Sequence, residues 1–363
     1  MIIATFNVEN LFERSRAMNL SSWREGQPAI NAAGELNALF NKRVYADRDK
    51  RRMLHLLKKF GLLATRSNNT FLELRKVRGA LFEHKRGQPA RIVASGRESW
   101  AGWIELKKEP LADDAVLNTA RVIASVQPDI LIMVEVESRP AVQHFHDKVL
   151  LPLLKQPYPY NMVIDGNDER GIDVGILSRF PIKGMRTHIT DFAGKARTFS
   201  RDCPEYYVEL PSGRELLVLP NHFASKGSDA TGKRRKVQAA AVRGIYESLR
   251  KRFPFAVVAG DLNDHPDGGS LNALLEGTNL VDAMSLKQYQ GAFPGTYAHA
   301  TAKEKIDYLL LSPALRKKVQ AVDVFRKGFY APRKWESFEN INKANKDRFQ
   351  ASDHHCLWAE VDV

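Results

Sequence analysis

The sequence predicts a layered α/β domain, and three observations carry that expectation. Short apolar runs recur along the chain, each ends in a polar or charged cluster, and helical patterns lie between them. The 363 residues suffice for one large domain or two ordinary ones. Hydrophobic residues make up 44% and charged residues 27%, the mix of a soluble globular protein rather than a disordered or membrane one.

Taken in order, residues 2–6 form the first run and read as a strand. A helical stretch over about 115–126 follows, with Asp113 and Asp114 as candidate caps and Pro128 as its stop. Further strands are expected at 129–135, 171–177, 215–219, 255–259, 306–311 and 355–361. A helix over about 233–252 separates two of them. No internal repeat or low-complexity tract interrupts the pattern.

The 55 Lys and Arg exceed the 42 acids, giving a net charge of +13 and a pI near 9.6. Such an excess favours a polyanionic partner, nucleic acid first and an anionic membrane surface second. The charge is concentrated. Between Lys42 and Glu109 stand 18 Lys and Arg against 7 Asp and Glu, a local net charge of +11. Residues 45–63 look helical, with Met53, Leu54, Leu57 and Phe60 on one stripe. Residues 71–106 look like two or three strands carrying Arg75, Lys76, Arg78, Lys85, Arg86, Arg91 and Arg97, with Trp100 and Trp103 in the last. Clustered cations with interleaved aromatics fit a surface that tracks phosphates, although a solvated face over a small core has the same composition.

Two cysteines, Cys203 and Cys356, make no disulfide framework. No stretch approaches the ~18 consecutive apolar residues of a membrane span, and the N-terminus carries no secretory pattern. A strand beginning at residue 2 points to a cytoplasmic protein.

Polar residues cluster where the apolar runs end, the position at which a side chain is held rigidly yet reaches solvent. Asn7 closes the first run and Glu135 the second. His222 follows the run at 215–219. Asp261 and Asn263 stand two apart and project from one side of an extended chain. Asp307 heads a strand, and Asp353 and His354 precede the last. Singly, each has an ordinary explanation as turn, cap or core residue. Their order and type together do not. A phosphodiester is anionic and repels hydroxide. Hydrolysis calls for a hard cation on oxygen ligands, a base in line with the scissile bond, and donors aimed at the equatorial oxygens. Carboxylates, amides and two imidazoles meet these needs. No Cys or His cluster has zinc spacing and no P-loop is present, so Mg²⁺ is favoured, with Mn²⁺ as the alternative.

At these residues the sequence resembles the endonuclease/exonuclease/phosphatase superfamily. That group includes pancreatic-type deoxyribonucleases, abasic-site endonucleases, inositol polyphosphate phosphatases and neutral sphingomyelinases. The resembling blocks are FNVENL at 6–11, VEVES at 134–138, RGIDVGILSRFPI at 170–182, NHFASK at 221–226, GDLND at 260–264, KIDYLLLS at 305–312 and SDHH at 352–355. They frame 1–12 and 113–363, so 13–112 is expected to be a basic insertion in a single catalytic domain. The resemblance implies a four-layer αββα sandwich of two packed, mostly antiparallel sheets with the site at one end. It also implies the roles. Glu135 is the main Mg²⁺ ligand, and Asn7 and Asp353 help hold the metal or its waters. Asp261 aligns and deprotonates the attacking water while Asn263 grips a phosphate oxygen. His354, oriented by Asp307, and His222 meet the charge that builds on the phosphate.

Around this set, Arg170, Asn221 and Lys226 are candidate phosphate contacts, and Asp173 is a candidate support. Lys226 with Lys233, Arg234, Arg235 and Lys236 forms a basic run after His222 that suits a nucleic acid backbone. Arg201 and Asp202 read as a structural pair, and His355 is expected to face the core because strand neighbours point opposite ways. The NHFASKG block resembles bacterial non-specific nucleases, so the expected partner is nucleic acid, DNA before RNA. A sphingomyelinase-like or inositol-phosphate phosphoesterase is the alternative, and a catalytically silent nucleic-acid-binding module is the alternative of another class.

Overall fold

The computed structural model describes residues 1–11, 15–17, 23–64, 69–85, 87–107, 113–168, 171–344 and 349–363. The chain forms two compact units, Met1–Phe12 with Leu111–Val363, and Glu13–Pro110.

The larger unit holds two six-stranded sheets. Its strands are β1 (Ile2–Leu11), β2 (Ile130–Val136), β3 (Tyr160–Val163), β4 (Asp173–Ser178), β5 (Ile182–Arg186) and β6 (Glu205–Glu209). They continue with β7 (Glu215–His222), β8 (Phe255–Asp261), β9 (Val281–Asp282), β10 (Asp307–Leu311), β11 (Val319–Phe325) and β12 (Cys356–Val361). The first sheet runs β11-β12-β1-β2-β4-β3 and the second β9-β10-β8-β7-β6-β5. Each contains a single parallel pair, β1 with β2 and β7 with β8. These are the pairs joined by crossovers through the helices α1 (Asp113–Val126) and α2 (Lys233–Leu249), as parallel neighbours require.

Strand periodicity decides the layering. Ile130, Ile132 and Val134 of β2 pack with Leu216 and Val218 of β7 and Val257 of β8 between the sheets. The alternate residues Leu131 and Met133 face Val122 and Ile123 of α1. Leu217, Leu219, Ala256 and Val258 face Val242, Ile245 and Tyr246 of α2. Every central strand is therefore apolar on both faces, which is why these strands appear in the sequence as unbroken apolar runs. The result is a four-layer αββα sandwich.

The strands without a sequence signal were β3, β5, β6, β9 and β11. Four of them are the four sheet edges, where one side needs no apolar cover, and β6 is short and has glutamates at both ends, Glu205 and Glu209. α1 begins at Asp113. It ends with Gln127 in the left-handed region, φ 53°, just before Pro128. No helix among the described residues is long and apolar enough to cross a membrane.

The smaller unit contains helices Trp23–Phe40 and Asp47–Lys59. It adds an antiparallel pair, Leu72–Arg78 with Ala101–Leu106, and a shorter pair, Phe82–Glu83 with Arg91–Ile92. The first helix had no sequence signal because Gly26, Pro28 and Gly34 break its pattern. Trp100 is not a strand residue on the surface: it is buried edge-on against Phe40, with ring centroids 4.7 Å apart. Trp103 is 46% exposed on the strand. Arg75 pairs with Glu73 and Glu105, and Lys85 and Arg91 pair with Glu83. Lys76, Arg78 and Arg97 are exposed and form no ion pair among the described residues. Arg86 lies outside the described residues.

Candidate functional site

The polar residues singled out in the sequence sit at one end of the paired sheets. Strand register aligns three of them: His222 stands opposite Asp261, and Asp261 opposite Asp307. Cross-strand partners project to the same face. Asn7 is contributed by β1, Glu135 by β2, and Asp353 and His354 by the segment entering β12.

The backbone is held in uncommon conformations here. Glu9, Glu135 and Asn263 adopt left-handed φ of 50°, 65° and 54°. Each costs a non-glycine residue roughly 1 kcal/mol or more, and such residues gather where a site over-determines them. Gly260 has φ 128°, and a Cβ there would lie 2.0 Å from the Asn221 carbonyl oxygen. Only glycine lets β7 and β8 approach closely enough to set His222 beside Asp261.

Asp261 Oδ2 is the hub. Asn263 Nδ2 donates to it at 3.0 Å, and Asn7 Nδ2 lies 3.4 Å away. His222 Nε2 stands 3.7 Å from it and His354 Nε2 3.9 Å. The other carboxylate oxygen accepts the Asn263 N–H at 2.8 Å. His222 Nε2 is also 3.7 Å from Glu135 Oε1, which ties the β2 carboxylate into the group. Asp307 Oδ2 bonds His354 Nδ1 at 2.9 Å, and His354 Nε2 lies 3.9 Å from Asp353 Oδ1. All eight residues of the sequence-derived set are thus linked by contacts of 3.9 Å or less.

Electrostatics follow from burial. Burial, with repulsion from Asp307, pushes the Asp261 carboxyl up to about 7. Burial alone would favour a neutral His354, but the Asp307 carboxylate, helped by Asp353 and Asp261, outweighs it and holds the imidazolium well above its ordinary range. An anion entering this site meets a cationic ring, and a cation meets carboxylates.

Sequence reasoning gave no role to four supporting residues. Glu9 Oε2 accepts the Asp353 N–H at 3.1 Å. Ser352 Oγ donates to the Asn7 carbonyl at 2.7 Å and accepts the His354 N–H at 3.0 Å. Thr296 Oγ1 accepts the Asp307 N–H at 2.9 Å. Tyr297 packs its ring on His354 with centroids 4.8 Å apart. Glu9 and Ser352 lie within the recognised blocks, whereas Thr296 and Tyr297 sit in a loop without any sequence signal.

A divalent cation fits the donors present. Glu135, Asn7 and Asp353 offer carboxylate and amide oxygens, the choice of a hard ion. Asp261, Asp307 and His354 also bring ligand atoms within 4.8 Å of one another. That trio is less suited to hold the ion, because His354 Nδ1 is already committed to Asp307. Asp307 Oδ1, however, is buried with no hydrogen-bond partner among the described residues, an opening for a donor from outside the chain.

The outlying candidates divide. Asn221 is not at the site. Its alternation with His222 turns it to the helix side of the sheet, where it is buried and bonds the Leu219 carbonyl at 3.0 Å. Lys226 is half-exposed with Asp264 at 3.6 Å, close in sequence to the hub. Arg170 lies outside the described residues. Arg235 is buried, donating to the Ala224 carbonyl at 3.0 Å, and braces the loop after His222 rather than facing solvent. Lys233, Arg234 and Lys236 are exposed. Arg201 pairs with Asp168 at 2.8 Å, not with Asp202, whose carboxylate takes the Thr187 hydroxyl and the His188 N–H. His355 points away from the hub, edge-on to Phe329 and Trp335.

Asp173 is buried and accepts the Gly166 N–H at 2.8 Å. Burial, with repulsion from Asp165 and Asp168, pushes its carboxyl up to about 7. This folded-state value exceeds the unfolded one of about 3.9. Its stabilisation is therefore full below about pH 4 and is lost as pH rises through about 7. Asp173→Asn keeps the acceptor and removes the charge. Thermal melts should show the variant several degrees more stable at about pH 8 and no more stable at about pH 4. Equal shifts at both pH values would contradict this account.

Residues 108–354 match the model of the Endonuclease/Exonuclease/phosphatase family. Among solved structures, the chain is similar to truncated Caenorhabditis elegans TDP2 at 16% identity and TM-score 0.48, covering 68% of this chain and 88% of that one. It is similar to the human Nocturnin catalytic domain at 18% identity and TM-score 0.47, covering 69% and 87%. A Bacteroides thetaiotaomicron mannosyl-6-phosphatase is similar at 16% identity and TM-score 0.47, covering 69% and 91%. No curated protein matches the chain.

Proposed function

The chain belongs to the endonuclease/exonuclease/phosphatase family, and from that premise we propose that it is a Mg²⁺-dependent nuclease, hydrolysing DNA to 5′-phosphate and 3′-hydroxyl ends. The observation that carries the hydrolytic reading is the convergence of Asn7, His222, Asn263 and His354 on Asp261 Oδ2. Asp261 is the base: it orients a water and takes its proton. Asn263 and Asn7 fix the carboxylate and offer amide donors to the phosphate. His354, held by Asp307, and His222 supply positive charge where negative charge accumulates on the phosphate oxygens. Glu135, Asn7 and Asp353 would hold the cation, Mg²⁺ or Mn²⁺ in its place, and when bound it would neutralise phosphate charge and stabilise the leaving oxygen.

Support for a nucleic acid substrate is separate and comes from charge. The Lys42–Glu109 segment carries +11, and Lys76, Arg78 and Arg97 are exposed on it without an ion pair among the described residues. We take residues 13–112 as an insertion that adds phosphate contacts to one catalytic domain. Arg170 and Lys226 are proposed as further phosphate contacts.

A substrate panel tests the reading. The protein is incubated with plasmid, single-stranded DNA, RNA, sphingomyelin, inositol phosphates and a sugar phosphate, each with Mg²⁺ or EDTA. Cleavage of nucleic acid that EDTA abolishes is expected. Release of phosphocholine or inorganic phosphate, with every polynucleotide intact, would leave a phosphoesterase of another substrate class.

A further inference from the structure

The second sheet sends an arm out from the end where the hub sits. β5 and β6 pair Arg186 with Glu205, and β6 pairs Tyr206 with Val218 of β7, whose last residue is His222. The chain between Arg186 and Glu205 therefore leaves and re-enters the sheet at the His222 end. β5 lies two strands from β7, about 10 Å at the usual strand spacing.

The arm ends in a tight hairpin. Phe192 and Ala193 pair with Arg197 and Ala196. Gly194 and Lys195 close it, with Gly194 at the left-handed φ of 66° that a two-residue turn needs. Its base is clamped by polar contacts. His188 is buried, with Nδ1 2.7 Å from Asp191 Oδ2 and Nε2 2.9 Å from Glu205 Oε1. Asn167 Nδ2 donates to the Ile189 carbonyl at 2.7 Å and to the Phe199 carbonyl at 3.1 Å, one on each leg. The Thr198 N–H joins the legs by donating to the Asp191 carbonyl at 2.9 Å.

This clamped arm presents an aromatic ring and two cations. Phe192 is 59% exposed. The Arg197 guanidinium lies over its ring, 4.4 Å from the centroid, and donates to the Ile189 carbonyl at 3.1 Å. Lys195 and Arg197 are exposed and form no ion pair among the described residues, and 192–197 contains no acid. A stacked guanidinium and ring beside a free ammonium suit a chain of alternating bases and phosphates, with a π-face for a base and charge for its phosphates. Bases in a duplex are already stacked on each other, so the fit is to an unpaired strand. Phosphates recur about every 3.4 Å of axis along one strand of a duplex, so about 10 Å from the hub is a few nucleotides from the scissile bond.

We propose that the arm 187–200 is a second contact for an unpaired nucleic acid strand, a base stacking on Phe192 while neighbouring phosphates meet Arg197 and Lys195. The inference rests on the nuclease reading above and deepens it.

The test uses the full-length protein in EDTA, which stops turnover, and a fluorescent single-stranded DNA oligonucleotide followed by anisotropy. Phe192→Ala should weaken binding about 10-fold, and Phe192→Tyr, which keeps the π-face, should bind within about 2-fold of the parent. Lys195→Gln combined with Arg197→Gln should flatten the slope of log affinity against log salt by about 1.4, two phosphates at about 0.7 each for a single strand. Melting temperatures should stay within about 2 °C of the parent, since all three side chains are exposed. With Mg²⁺, turnover of a short soluble phosphodiester should be unchanged, because none of the three belongs to the hub. Unchanged affinity in Phe192→Ala, or an unchanged slope in the double variant, would overturn the proposal and leave the nuclease reading standing. A parent protein that neither binds nor cleaves the oligonucleotide would overturn both. Vesicles of phosphatidylserine and phosphatidylcholine run alongside: vesicle binding lost in Phe192→Ala with oligonucleotide affinity intact would make the arm a membrane contact and overturn the proposal.

Discussion

Asp261→Asn is expected to lower turnover of the substrate by about 10³- to 10⁵-fold with the fold intact. Asparagine fills the same space and keeps an acceptor for the Asn263 N–H, but it cannot take a proton from water. The variant should also be more stable than the parent above neutral pH. In the metal-free protein the Asp261 carboxyl is pushed up to about 7 by burial and by Asp307, so its ionisation opposes folding as pH rises through that value. Loss of activity together with a gain in melting temperature is the signature of a group kept for chemistry rather than stability. His354→Ala should cost about 10²- to 10⁴-fold, and the double variant little more than Asp261→Asn alone, since hub residues act as a unit. Steady-state rates and thermal melts of the three variants check this. Activity near that of the parent in Asp261→Asn would remove the assignment of the base.

Lys76→Gln, Arg78→Gln and Arg97→Gln combined should weaken nucleic acid binding about 10- to 100-fold at low salt. The diagnostic is the salt dependence. Each phosphate contact contributes about 0.9 to the slope of log affinity against log salt for duplex DNA, so losing three should flatten it by about 2 to 3. Turnover of a short soluble phosphodiester should be unchanged, because none of the three belongs to the hub. Binding isotherms at several salt concentrations measure both quantities. An unaltered slope would return these cations to the role of solubilising charge.

The two predictions separate what was legible in the sequence from what was not. The eight hub residues were legible because each stands at or beside the end of an apolar run, closing it or leading into it, and a strand end fixes direction as well as position. The central strands were legible for the same reason, being buried on both faces. The four edge strands were not, since half of each edge is solvated and its apolar pattern is broken. Asn221 and Arg235 show how adjacency in sequence misleads. One sits beside His222 but on the opposite face of β7, and the other lies in a basic run yet is buried as a brace. Arg201 misled similarly, because its carboxylate partner, Asp168, is distant in sequence. Tyr297 and Thr296 were invisible for a further reason: their loop has irregular backbone, and only tertiary contact brings it to Asp353 and Asp307.

The central claim is that water positioned by Asp261 attacks the phosphorus of a nucleic acid chain. It is tested most directly by cleaving a defined DNA duplex and its RNA counterpart in ¹⁸O-enriched water with Mg²⁺, then weighing the fragment ends. The account predicts one ¹⁸O in each new 5′-phosphate, unlabelled 3′-hydroxyls, and no cleavage by Asp261→Asn. Label absent from the phosphate, or both polymers intact while the sugar phosphate or sphingomyelin is hydrolysed, would contradict it.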